Sequence, residues 1–318
     1  MTQGNEQSKK LLVICGPTAT GKTRLGIQLA RALNGEIVSA DSMQVYRRMD
    51  IGTAKATPAE RAAVPHHMLD VAEPWEDYSA ARYVQEAGRC CDDILARGKL
   101  PILVGGTGLY IDSLLSGRDF AVRQEGDEQL RAQLSAEYDR LGGDAMLARL
   151  RGFDPERADK LHPADKRRIV RAIEIYQLTG ETISAHDART RALPPRYESH
   201  TVVLSYQDRA DLYARIDRRV DAMVAEGLFE EVAALLDEGL SPDCTAMQAI
   251  GYKEAAQALR GEITRAEAAA LIQQNSRRYA KRQLTWFGRN RDALWLRWER
   301  EPDFAAAEDA AIAFFKQG

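Results

Sequence analysis

The strongest constraint on this chain is Gly16-Pro17-Thr18-Ala19-Thr20-Gly21-Lys22-Thr23, which satisfies G-x-x-x-x-G-K-[ST]. It follows an apolar pentad, Leu11-Leu12-Val13-Ile14-Cys15, and precedes a segment with Leu25, Leu29 and Leu33 at helical spacing. Strand, glycine-rich turn and helix in that order make a phosphate-binding loop. The glycines allow backbone angles that turn amide N–H groups inward, and the helix N-terminus adds partial positive charge. Lys22 supplies a full charge, and the Thr23 hydroxyl suits Mg²⁺. The motif specifies a polyphosphate and leaves the reaction, and ATP as a ligand, open.

Further strands alternate with helices. Glu36-Ile37-Val38-Ser39-Ala40 reads as a second strand ending at Asp41. A helical stretch from about Ser79 to Arg97 leads to a third strand, Leu100–Val104, then to Gly105-Gly106-Thr107-Gly108 and another helix. This alternation predicts an α/β fold: a P-loop NTPase-like core with a parallel sheet. From about Asp119 to Leu193 the chain turns charged and helical, until Pro194-Pro195 and a returning strand at Thr201–Leu204. The expected organisation is therefore a core of residues 1–117 and 197–318, with C-terminal helices, interrupted by a helical insertion domain at 118–196. In the returning half, Asp208 or Asp211 caps a helix bearing Leu212, Ile216, Val220 and Met223, and a long helix spans about Thr264 to Phe287.

Composition removes several classes. A net charge of −3 argues against a protein that coats nucleic acid non-specifically. The four cysteines form no C-x-x-C pair, which suggests neither a disulfide framework nor a zinc site. The start is polar, and no apolar run approaches the roughly 18 residues of a membrane span. A reduced, cytoplasmic, monomeric enzyme away from the membrane is the expectation.

A nucleotide-hydrolysing loop usually comes with an acidic Mg²⁺ residue at a second strand end. The third strand ends in Val104-Gly105-Gly106-Thr107, with no acid. The acid stands at Asp41 instead, and catalytic groups of open α/β sheets gather at the carboxyl ends of strands, so Asp41 and Thr107 should face the loop. Asp41 has two readings, a turn cap and a catalytic carboxylate. Arg215 and Arg219 are also read two ways: paired with Asp211, Asp217 and Asp221, or reaching over a bound diphosphate. His66 and His67 read as packing residues. Two basic clusters stand out. Lys166, Arg167, Arg168 and Arg171 form one. Arg277, Arg278, Lys281 and Arg282, interleaved with Tyr279, Trp286 and Phe287, form the other. Each is either a solvated helix face or a surface for RNA phosphates and unpaired bases.

Taken together, several segments resemble the tRNA dimethylallyltransferases of bacterial type. They are Gly16–Thr23, Ser39–Arg47, Ile51–Lys55, Pro65–His67, Gly105–Tyr110, Ala249–Glu254 and Ala280–Trp286. They occur in the family's order from about residue 11 to 290. The resemblance implies transfer of a dimethylallyl group from dimethylallyl diphosphate to N6 of an adenosine beside the tRNA anticodon, with Mg²⁺. It implies Asp41 as general base, Thr107 and Arg219 on the diphosphate, and Gly16, Pro17, Thr18, Ala19, Thr20, Gly21, Lys22 and Thr23 as its cradle. It implies tRNA contacts from Asp41, Ser42, Met43, Gln44, Thr107 and Arg131, from Arg167, Arg168 and Arg171, and from Gln248, Gly251, Tyr252 and Lys253. Lys281, Arg282, Gln283, Trp286 and Arg289 complete that set. Gly288 stands where many relatives carry a basic residue, and Gln248 where some carry Arg. The rival readings are a P-loop small-molecule kinase, an allyl transferase to free AMP, and a non-catalytic RNA-binding protein.

Overall fold

In the computed structural model, residues 9–116 and 127–317 are described. The core sheet has six strands: β1 (Lys10–Cys15), β2 (Gly35–Ser39), β3 (His66–His67), β4 (Leu100–Gly105), β5 (Glu198–Tyr206) and β6 (Leu294–Trp298). Their order is β3-β2-β4-β1-β5-β6, and every pairing is parallel. β1, β2 and β4 are buried along nearly their whole length, as strands covered on both faces must be. The fold is a P-loop NTPase-like α/β core. β1 lies between β4 and β5, so the chain leaves it in one direction and returns on the other side. Ligands of such sheets bind at that reversal, outside the carboxyl ends of the strands.

Leu25, Ile27, Leu29 and Ala30 of the helix Lys22–Ala32 pack on Leu12, Ile14, Ile37, Ile102 and Val104. The later helix, Arg209–Ala225, starts at Asp208, whose carboxylate accepts the Ala210 N–H at 2.8 Å. It buries Leu212, Ile216 and Val220. The helix Arg265–Phe287 opens with a Thr264/Glu267 capping box. β6 departs from the sequence expectation of a mostly helical remainder. Its Leu294-Trp295-Leu296-Arg297-Trp298 pairs with β5, and the Trp298 indole donates to Thr20 O at 3.0 Å, bracing the phosphate loop from below.

Within the described residues, this unit runs to Leu115 and resumes at Tyr197, while a second compact unit spans Ser116 to Arg196. The expected boundary at 117/118 lies outside the described residues. The second unit is helical, with its own core of Leu134, Met146, Leu147, Leu150, Ile169 and Ile173. Asp127, Asp154 and Thr182 cap its helices. Among the described residues, no helix is long and apolar enough to cross a membrane.

Candidate active site

The phosphate loop is held open by contacts that only glycine permits. Gly16 has φ +136°, and a Cβ there would stand 2.2 Å from Leu204 O. Gly21 begins the helix at φ +86°, where a Cβ would meet the Phe304 ring at 2.5 Å. The buried Thr20 hydroxyl and the Lys22 ammonium both donate to Pro17 O, at 2.9 and 2.8 Å. Thr18, Ala19, Gly21, Lys22 and Thr23 line a cavity of about 780 Å³ that also reaches Ser39, Asp41, Arg219 and Tyr279.

The loops after β2 and β4 are stitched together beside it. Thr107 N–H donates to Ala40 O at 3.0 Å, and Thr107 Oγ1 accepts Ser42 N–H at 3.0 Å. Gly105 makes this approach possible, since a Cβ there would lie 2.2 Å from Ala40 O. Asp41 makes the turn cap of the first of its two readings. Its Oδ1 accepts Met43 N–H at 2.9 Å and Gln44 N–H at 3.4 Å, capping the turn. Its Oδ2 makes no hydrogen bond among the described residues, and the residue lines the cavity.

Among the described residues, two cations of the cavity, Lys22 and Arg219, form no direct ion pair. Lys22 is pushed down to about 8 by burial first and by Arg219 second, against the opposing pull of Asp41. Arg219 is also lowered by burial, with Asp41 opposing. The alternative in which aspartates of its own helix hold Arg215 and Arg219 fails on geometry. Asp217 pairs with Arg277, Arg215 with Glu301 at 3.3 Å, and Asp221 accepts from Gln273 at 2.9 Å. Arg219 therefore lines the cavity beside Lys22 without an ion pair from its own helix, and Asp41 and Glu226 are the acids that act on it. Val220, Met223, Ala249, Ile250 and Ile272 supply apolar lining in the same cavity.

Tyr279 is the residue that sequence reasoning missed. Its phenol is pushed up to about 12, by burial first and then by Asp41, and it interacts with the Thr107 and Gln283 side chains. A signal existed: Ile272, Ser276, Tyr279 and Gln283 follow at helical spacing on one face, and all four line the cavity.

Several residues from the segments matched to tRNA contacts turn inward instead. Gln44 donates to Thr53 O and Ala54 O at 3.2 and 3.3 Å and accepts from the Ser39 hydroxyl at 3.0 Å. Tyr252 is fully buried with its hydroxyl on Glu231, which also accepts the N–H groups of Asp50, Ile51 and Gly52. Gln283 is 5% exposed and spans Thr18 and Gly106. Gly251, at φ +103°, shapes a helix start and donates to Glu254. The side chains of Gln44, Tyr252 and Gln283 thus bond to protein groups, while Gln44 and Gln283 also line the cavity. Gln248, Lys253, Lys281, Arg282 and Arg289 are exposed, with Arg282 over the Tyr279 ring and Arg289 over Trp286 at 5.1 Å. Trp286 donates to Asp112 at 2.8 Å and covers Gly108. In the helical unit, Arg131 and Arg171 both pair with Glu174, whose side chain is 0% exposed. Arg167 and Arg168 are exposed. His67 pairs with Glu36 and His66 bonds Val64 O, the structural roles expected of them.

Comparison with known proteins agrees with this geometry. The IPP transferase family model matches residues 44–291, and the isopentenyl transferase model matches residues 9–71. The chain is 47% identical to tRNA dimethylallyltransferase 1 of Pelobacter propionicus, over 96% of this chain and 98% of the relative. It is 50% identical to the tRNA dimethylallyltransferase of Symbiobacterium thermophilum, over 90% and 88%. Among solved structures, it superposes on a tRNA isopentenylpyrophosphate transferase from Staphylococcus epidermidis with a TM-score of 0.71. That protein is 40% identical, and the match covers 97% of this chain and 99% of that one. It superposes on a eukaryotic dimethylallyltransferase acting on tRNA with a TM-score of 0.81, at 31% identity, covering 96% and 78%. With the loop, the acid at the second strand end and these matches spanning nearly the whole chain, the protein belongs to the IPP transferase family, that of the tRNA dimethylallyltransferases.

Proposed function

We propose that this enzyme transfers a dimethylallyl group from dimethylallyl diphosphate to N6 of adenosine 37, next to the anticodon of tRNA. The observation that carries this reading is the meeting of Lys22, Arg219 and Asp41 in one cavity with an apolar wall. Two buried cations without a direct ion pair suit a leaving diphosphate. The wall of Val220, Met223, Ile250 and Ile272 suits a five-carbon tail. A carboxylate with one free oxygen suits an amine that must lose a proton.

An adenine must leave its stack to enter such an enclosed site. In the proposed step, N6 attacks C1 of the allyl group while the C1–O bond breaks. The diphosphate departs with the electron pair, and the N6 proton goes to Asp41 Oδ2. The loop amides, Lys22 and Arg219 meet the charge that builds on the diphosphate. The neutral Tyr279 phenol and Thr107 fix the Asp41 loop. Among the described residues, no group of three metal-binding side chains exists. Thr23, which lines the cavity next to Lys22, has a hydroxyl oxygen of the kind Mg²⁺ prefers and would hold the ion, which when bound would neutralise part of the leaving-group charge. The helical unit, with Arg167 and Arg168 exposed, would bind tRNA phosphates. Incubation with dimethylallyl diphosphate, Mg²⁺ and unmodified tRNA should yield N6-dimethylallyladenosine on digestion. Absence of any N6-alkylated adenosine would overturn the reading.

A further inference from the structure

The phosphate loop is gripped from outside by the last strand and the helix that follows it. Trp298, at the end of β6, is 5% exposed, and its indole Nε1–H donates to Thr20 O at 3.0 Å. Phe304 opens the helix Phe304–Gln317 and meets the Trp298 ring with centroids 5.5 Å apart. The Phe304 ring covers Gly21, and the Arg24 guanidinium lies over it at 4.4 Å. Two loop carbonyls are satisfied in different ways. Pro17 O accepts from the loop itself, through the Thr20 hydroxyl and the Lys22 ammonium. Thr20 O accepts from a donor 278 residues further along the chain.

The second bond sets the orientation of one peptide. In a planar trans peptide the C=O and the following N–H point in opposite directions. Thr20 O is held towards Trp298, which belongs to the buried core. The Gly21 N–H therefore points the other way. Gly21 lines the cavity, and among the described residues nothing accepts its N–H. This peptide also has an alternative, because glycine gives it wide freedom of rotation. Without the indole N–H, Thr20 O would be a buried acceptor with no partner, which is costly. Turning the peptide towards the solvent of the cavity relieves that cost. It also puts a carbonyl oxygen where the N–H had been, and that end of the dipole repels a phosphate.

We infer that Trp298 is a positioning residue for the diphosphate, whose indole holds the Thr20–Gly21 peptide with its N–H towards the bound anion. This rests on the diphosphate-transfer reading above. It makes β6 part of the phosphate site as well as an edge of the sheet.

The test is calorimetric titration of the full chain with inorganic diphosphate at fixed free Mg²⁺. Trp298→Phe keeps an aromatic ring against Phe304 and removes the N–H. Its dissociation constant for diphosphate should rise about tenfold, the scale of one hydrogen bond to a charged group. Leu294→Ala is the structural control, since Leu294 packs on the same core from the far end of β6. It lies about 13 Å along the strand from Trp298, at roughly 3.3 Å per residue. It should lower Tm yet change the diphosphate dissociation constant by less than about twofold, as distant sites act independently. An unchanged constant in folded Trp298→Phe, or equal weakening in both variants, overturns the inference. If Trp298→Phe does not fold, the wild-type protein decides. Its Trp298 indole N–H resonance should shift on addition of diphosphate, because a ligand on the Gly21 N–H polarises the same peptide. No shift overturns the inference. If the wild type binds no diphosphate, the transfer reading itself falls, and the inference falls with it.

Discussion

Two pairs of cations in this molecule look alike in sequence and behave in opposite ways. Arg131 and Arg171, in the helical unit, share the carboxylate of Glu174, which is wholly buried. Lys22 and Arg219, in the α/β unit, line one cavity without a direct ion pair, and each is lowered by burial more than the nearby Asp41 raises it. The first pair spends its charge within the protein. The second stores unfavourable electrostatics that an anionic ligand relieves. A cluster of basic residues therefore marks a ligand site only where the fold leaves the charge without a direct ion pair. Arg167 and Arg168 stand between these cases: they are exposed and available to phosphates, but they are not desolvated.

The largest expected effect concerns Lys22 and Arg219. Lys22→Ala should lower kcat/KM for dimethylallyl diphosphate by about 10²–10³-fold, the scale of a lost oxyanion-type donor. Steady-state assays at saturating tRNA would measure it, and a loss of only a few-fold would place the diphosphate elsewhere. The compensated pair should respond in stability. Glu174→Ala leaves two arginines without their shared partner. It should cost about 2 kcal/mol, below the full value for a buried pair because both arginine side chains are more than a third exposed. Denaturant unfolding would read this. The comparison breaks if stability is unchanged while diphosphate affinity falls. For the exposed pair, the double variant Arg167→Ala/Arg168→Ala should weaken tRNA binding about tenfold. It should also flatten the dependence of log Kd on log salt by about 1.5. Equal weakening at all salt concentrations would mean that these residues do not contact phosphates.

The smallest effect is a pH profile. The Lys22 ammonium is lowered to about 8, so in the free enzyme it is charged below that pH and neutral above it. Accordingly kcat/KM for the diphosphate should be level below about pH 7 and fall as pH rises through 8. Global stability should move in the other direction. The cost of holding this ammonium is fully present below pH 8, and it is relieved between 8 and the ordinary lysine value, where the unfolded chain keeps more protons.

Local features of this site were legible in the sequence. The loop, Asp41 and Thr107 all stand at strand ends, and strand ends can be read from apolar runs. The partners contributed by distant helices were harder. Arg219 was visible only as one of two readings, because its aspartate neighbours find partners on other elements. Tyr279 looked like an aromatic in a basic stretch, and only the packing of its helix on the Thr107 loop gives it a role. Gln44, Tyr252 and Gln283 lie in segments matched to tRNA contact, yet each turns inward to hold a loop. Sequence identifies the segment, and rotation about the helix axis or a turn decides which side chains face out. The buried Glu174 that occupies Arg131 and Arg171 was likewise hidden, since nothing in a charged helical stretch says which acid faces the core. The strand Leu294–Trp298 is short and carries a charge, so it reads weakly until β5 offers its free edge.

The central claim is that Asp41 accepts the amine proton while neighbouring cations hold the leaving diphosphate. Single-turnover transfer of labelled dimethylallyl groups to tRNA by Asp41→Asn tests it most directly, with tRNA affinity measured alongside. Asparagine keeps the turn cap at Met43 but cannot take a proton. The rate should fall at least about a hundredfold, the range of general-base catalysis, while the dissociation constant for tRNA changes by less than about threefold. A single-turnover rate within a few-fold of the wild type would contradict the account.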